Sequence, residues 1–150
     1  MFILLSIKKL QYFADYYIRQ CIIYHQPNNN IIIMLNNLTV ATDINHLAAI
    51  NNIGFIKYEQ GDKETAIQKW REAIKINNQS AEPILALAVA LYTKEEQHQA
   101  YQLAETALKL DIKFADFHWM KKHFWGQSMI TDAQKFLSTP AMKALLSQLR

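Results

Sequence analysis

Leu47 to Ser80, LAAINNIGFIKYEQGDKETAIQKWREAIKINNQS, runs directly into Ala81 to Phe114, AEPILALAVALYTKEEQHQAYQLAETALKLDIKF, and the two 34-residue stretches align position by position. In the first, Ile50, Ile53 and Gly54 fall on one face of a predicted helix, Gly61-Asp62 marks a turn, and Ala66, Trp70, Ala73 and Ile76 line a second helix. The matching positions in the second are Ile84, Leu87, Ala88 and Leu91, then Ala100, Ala104, Ala107 and Leu110. A period of this length marks a stack of helical hairpins in which each unit buries its apolar face against the next.

The small residues say how tightly each hairpin closes. Gly54 and Ala88 sit where the two helices of a hairpin cross, with Ala66 and Ala100 facing them. A large side chain at any of these would push the axes beyond the usual separation of about 8–10 Å. Helix ends agree with the register: Asp43 is placed to cap the first helix and Ser80 the third, and Pro83 falls in a first turn where its missing amide has no helical partner.

This pattern resembles the tetratricopeptide repeat (TPR) family through both units. The resemblance implies an all-α fold, a right-handed superhelix of antiparallel helical hairpins, and a scaffold that holds another protein rather than an enzyme. Two departures stand out: Lys57 replaces an expected aromatic, with Tyr58 beside it, and Asn78 replaces the proline that usually closes a unit. The expected domain is 43–150, with units at 47–80 and 81–113 and a degenerate one at 114–138. A capping helix at 140–149 follows. In the third unit a one-residue deletion turns Phe117, Met120 and Phe124 inward in place of Lys121 and Lys122. A further helix is predicted from about Thr131, with Ala133, Phe136 and Leu137 inward; Thr139-Pro140 then caps a last helix carrying Leu145, Leu146 and Leu149.

By the same resemblance, the first helix of each unit lines a concave groove. Its expected positions are Asn51, Asn52, Phe55, Tyr58 and Glu59, then Glu82, Leu85, Val89 and Tyr92, then His118, Trp119 and Lys122. Such a wall suits an apolar or amphipathic peptide or helix as ligand. Some family members grip a chaperone's C-terminal carboxylate with a Lys, Asn and Arg clamp. Here the corresponding positions hold Asn51, Phe55, Ala86, Ala115 and Trp119, or Asp116 and Met120 in the other register, so the clamp is absent and that partner is not expected. Trp125-Gly126 with the stretch from Ile130 to Leu137 also resembles small cyanobacterial and plastid TPR proteins. That similarity implies an assembly factor for a photosynthetic or other multiprotein complex.

Residues 1–25 read as an amphipathic helix: Lys8, Gln11, Asp15 and Arg19 form a stripe opposite Leu10, Phe13, Tyr17 and Ile22. Packing on the fold is one reading and peripheral membrane association another. Residues 26–42, with an Asn run and then Ile31-Ile32-Ile33, read as a linker, and Met34 offers an alternative start that would leave residues 1–33 outside the functional protein. Lys8 and Lys9 follow the first apolar run instead of preceding it, which argues against a secretory signal. A cytoplasmic location, or a plastid stroma or thylakoid surface, is expected.

Across 150 residues, 51% are apolar and 19% charged, with three Gly and three Pro, a composition that excludes disordered and turn-rich classes. The single Cys21 has no disulfide partner in the chain. Net charge is +3, with six basic and two acidic residues in 113–150. Lys113, Lys121, Lys122, Lys135, Lys143 and Arg150 near Trp119 and Trp125 sustain the rival reading, binding of RNA or another single-stranded nucleic acid, although a solvated helical face is the simpler account. His118 and His123 are five apart and fall on different helix faces, so no metal site is expected. With neither a catalytic constellation nor a glycine-rich phosphate loop, no enzyme activity and no cofactor are expected.

Overall fold

A computed structural model describes residues 46–123 and 125–150. The predicted N-terminal helix, the 26–42 linker, the Asp43 cap, Cys21 and the inward Phe124 lie outside the described residues. Within them the chain forms α1 (His46–Glu59), α2 (Lys63–Ile76), α3 (Ala81–Thr93) and α4 (Gln97–Leu110). A 3-10 turn (Ile112–Ala115) follows, then α5 (Phe117–Lys122), α6 (Gln127–Leu137) and α7 (Pro140–Leu149). Every regular element among the described residues is helical, and none of these helices is long and apolar enough to cross a membrane.

The α1–α2 and α3–α4 pairs are the two hairpins of the repeat, and α2 packs on α3 to join them. Ala66, Ala88 and Ala100 are completely buried at the crossings, and the Trp70 indole lies directly against Gly54. A Cβ added to Gly54 would sit 2.5 Å from Trp70 Nε1, well inside van der Waals contact. That close approach lets a tryptophan occupy a helix crossing. Along α3, every residue from Pro83 to Leu91 is buried, because the helix is covered by α2, α4 and α6.

The two turns show how the repeat has drifted. Gly61 has φ 83° in the first hairpin turn; its counterpart 34 residues on is Glu95, with φ 66°, in the left-handed region that disfavours side chains. Asp62 caps α2 by accepting from the Thr65 amide at 3.2 Å, whereas the equivalent Glu96 caps α4 with no side-chain bond. At the far end of each hairpin the register is kept: Asn77 Oδ1 accepts from the Gln79 amide at 2.9 Å and Asp111 Oδ1 from the Lys113 amide at 3.0 Å.

Two expectations change here. Ile76 and Leu110, assigned to the inner face of α2 and α4, are 48% and 38% exposed. Both stand at the last residue of their helix, where the chain leaves before a neighbour can cover them. The third unit also does not fold as a full hairpin. α5 has only 6 residues against 14 in α1, and α6 begins at Gln127 rather than near Thr131.

Gly54→Ala should destabilise the chain by about 1–3 kcal/mol in urea unfolding, an overpacking cost that exceeds the roughly 1 kcal/mol helix-propensity gain. Trp70→Leu in the same background should recover part of the loss. Glu95→Gly with Glu96→Asp, which restores the first turn's chemistry in the second, should raise stability by about 1–2 kcal/mol.

Candidate functional site

The candidate site is the concave wall formed by the first helices of the two hairpins, α1 and α3. In this chain the wall is covered, because α6 folds back and packs on both. Its apolar face presents Trp125 just ahead of the helix, then Met129, Ala133 and Phe136, each at most 1% exposed. Spacings of four, four and three residues put them on one helical stripe. Trp125 packs on Phe55 with ring centroids 5.1 Å apart, and Phe136 stacks on Tyr92 at 4.5 Å and 22°. Each large apolar side chain so buried contributes roughly 1.5–3 kcal/mol.

Polar contacts set the register of this helix. Glu59, in the last turn of α1, accepts from the backbone amides of Ser128 at 3.0 Å and Met129 at 2.9 Å. The first amides of a helix have no partner within it, and here a carboxylate from another helix satisfies them. This explains why α6 starts earlier than its own sequence suggests: Gly126, its N-cap, has no side chain to offer. A Cβ at Gly126 would overlap the Glu59 carboxylate.

Farther along, the Tyr58 hydroxyl donates to Asp132 Oδ2 at 2.7 Å, and Lys63 reaches the same oxygen at 3.5 Å while donating to Thr93 Oγ1 at 3.1 Å. The Lys63 ammonium also stands 5.0 Å from the centre of the Tyr58 ring, a cation–π contact. Burial, reinforced by the Asp132 carboxylate, pushes the Tyr58 hydroxyl far above its ordinary pKa, so it stays a donor. For Asp132, burial alone would raise the pKa, but the Tyr58 hydrogen bond and the charges of Lys63 and Lys135 outweigh it and hold the carboxyl below its usual range. At the other end of the wall, Glu82 joins three elements: Oε2 accepts from Asn51 Nδ2 at 2.8 Å and Oε1 from Trp125 Nε1 at 3.0 Å.

The expected groove positions therefore separate into two groups. Asn51, Asn52, Phe55, Tyr58, Leu85 and Val89 are buried, while Glu59, Glu82 and Tyr92 are half-buried. All nine lie on α1 and α3, and of them Phe55, Tyr58, Glu59, Glu82 and Tyr92 contact α6 or the Trp125 just ahead of it. His118, Trp119 and Lys122 lie on α5, which packs on the 3-10 turn and on α6. His118 and Lys122 are exposed, and Trp119 lies between Phe114, 4.6 Å away, and the His123 ring, 3.7 Å away.

Two of the six basic residues grouped in the nucleic-acid reading pair with carboxylates of the chain. Lys113 pairs with Asp111 at 3.6 Å and Lys135 with Asp132 at 3.3 Å. Among the described residues no cluster of His, Cys, Asp or Glu is arranged to hold a metal ion.

Sequence reasoning missed the occupant of the groove. Nothing local in the sequence joins Trp125, Met129, Asp132 or Lys63 to the α1–α3 wall. The amphipathic spacing of α6 was visible, but its partner surface was not. The one local signal was the Trp125-Gly126 pair, a residue that needs a deep pocket followed by one that needs a missing Cβ.

Glu59→Ala should cost about 1 kcal/mol, the usual worth of a helix cap. Gly126→Ala should cost at least as much in the wild-type background and little in Glu59→Ala, an interaction that a double-mutant cycle in urea measures. Because the pKa of Asp132 is depressed by folding, its stabilisation is complete above the ordinary carboxylate range and is lost as pH falls through the lowered value. Asp132→Asn should accordingly flatten the decline in unfolding midpoint below about pH 4.

Comparison with known proteins adds one match. A family model described as TPR repeat covers residues 54–94, from the Gly54 crossing through α2 and the whole of α3. No curated protein and no solved structure matches the chain. The matched segment contains the close crossing, the Gly61 turn and the first stacked interface, and the described fold around it is an all-helical repeat; the chain carries a TPR repeat, a module that typically serves protein–protein interaction.

Proposed function

We propose that this protein is an interaction adaptor whose concave α1–α3 wall recognises an apolar or amphipathic helix of a partner protein. One observation carries the reading: an amphipathic helix, α6, already rests on that wall through an apolar stripe and matched polar pairs. A surface complementary to a helix in shape, apolarity and charge is what helix-in-groove recognition requires. Phe55, Leu85 and Val89 supply the apolar floor, Tyr58 and Tyr92 the aromatic sides, and Glu59 a carboxylate for a helix N-terminus. Asn51 Oδ1 adds a buried acceptor with no hydrogen-bond partner, which a ligand's amide would satisfy.

The clamp positions hold no basic residue, so a free carboxylate has no cation to meet there. The nucleic-acid reading gains no support from residues already engaged within the fold, Lys113, Lys135 and Trp119.

Site-specific photo-cross-linking in the native source tests the reading. A cross-linking residue in place of Tyr92, at the groove edge, should capture a discrete partner protein. The same group in place of Gln102, in the shallow cleft of about 390 Å³ between α4 and α7, should not. Capture from Gln102 alone would move the binding surface to the outer face and end the groove reading.

A further inference from the structure

α6 differs from the other groove-facing helix in how it is held. α3 is enclosed along its length and cannot leave without dismantling both hairpins, whereas α6 keeps one polar face in solvent, with Gln127, Ser128, Gln134 and Lys135 exposed. Its N-terminal amides are capped by Glu59, a residue of the groove. The polar groups that bind it, Glu59, Glu82, Tyr58 and Lys63, are ones that water hydrates readily once the helix departs, so its release strands no buried unpaired charge. The complementarity lies between the α1–α3 wall and one short segment, Trp125 through Phe136.

From this we infer that α6 is a ligand bound in cis, and that the natural partner is an amphipathic helix with the same pattern that replaces it. The inference rests on the groove reading above and specifies its ligand. The partner helix carries an aromatic residue at the place of Trp125, an unbranched apolar residue four positions on, an acid three beyond that, a small residue next to the acid, and an aromatic three further. The acid meets Lys63 and the Tyr58 hydroxyl, the small residue allows close approach to α1 and α3, and the two aromatics meet Phe55 with Glu82 at one end and Tyr92 at the other. Because α6 is tethered, it competes at an effective concentration on the order of millimolar. The free chain is therefore closed, and a partner opens it only by adding contacts beyond those α6 makes.

The probe is a fluorescein-labelled peptide of residues 125–138, WGQSMITDAQKFLS, titrated against the full chain by anisotropy. Two full-length variants loosen the cis helix and leave α1–α4 intact: Ala133→Glu, which sets a carboxylate into the apolar contact, and Asp132→Lys, which places like charges opposite Lys63. Asp132→Lys changes only the groove edge, so it keeps the test available if Ala133→Glu fails to fold, as judged by circular dichroism and cooperative unfolding. At least a tenfold gain in peptide affinity over wild type is expected. On the Ala133→Glu background, where the cis helix stays loosened, a further Lys63→Glu change should weaken the wild-type peptide and favour a peptide carrying the Asp132→Lys change.

No gain in any folded variant would overturn the inference and make α6 a permanent closing element. A gain indifferent to Lys63→Glu would overturn the proposed register and its acid. If cross-linking from the Tyr92 position persists while the peptide fails, the groove still serves a partner that binds over α6, and this inference alone falls.

Discussion

The close crossing of α1 and α2 governs what the rest of the molecule can do. Trp70 presses its indole onto Gly54 because nothing but a hydrogen stands there, and Phe55 and Tyr58 then pack around the same ring, at 5.4 and 5.8 Å. This cluster sets the floor and one side of the concave wall. Interiors pack at near-crystalline density, so a change at Gly54 is felt at Phe55, and through Phe55 at Trp125 and α6. The hairpin crossing and the groove are thus one mechanical unit, even though they lie on different faces of α1.

A continuous aromatic path extends from that cluster. Trp70, Phe55, Trp125, Phe114 and Trp119 contact one another in turn, linking the first hairpin to the short α5. A second set, Tyr92, Phe136 and Tyr101, joins α3, α6 and α4. α6 and the Trp125 just ahead of it therefore join the two sets and close the repeat at its open end. Terminal units of stacked repeats have no neighbour to cover them, and this chain meets that need by turning its last unit inward instead of adding another hairpin. One element thereby caps the repeat and covers the α1–α3 wall.

Polar groups give this arrangement its register. Apolar contact alone would tolerate a helix sliding by a turn, but Glu59 must meet the two leading amides while Asp132 meets Tyr58 and Lys63. Buried or half-buried groups of this kind cost free energy when left unmatched, so they penalise every other alignment.

The 34-residue period, the small residues at the crossings, the Gly61-Asp62 turn and the all-helical class were legible in the sequence, because each is a local pattern whose physical cause lies within a few residues of itself. So was the amphipathic stripe of Ala133, Phe136 and Leu137. What covers the groove was not legible. The Ser128 and Met129 amides are capped by a residue some 70 positions away, and Tyr58 finds Asp132 across a separation of 74. Spacing along the chain says which face of α6 must be buried, since that follows from 3.6 residues per turn. Which surface buries it is a question of shape and charge matching between distant segments, and only the tertiary structure decided it.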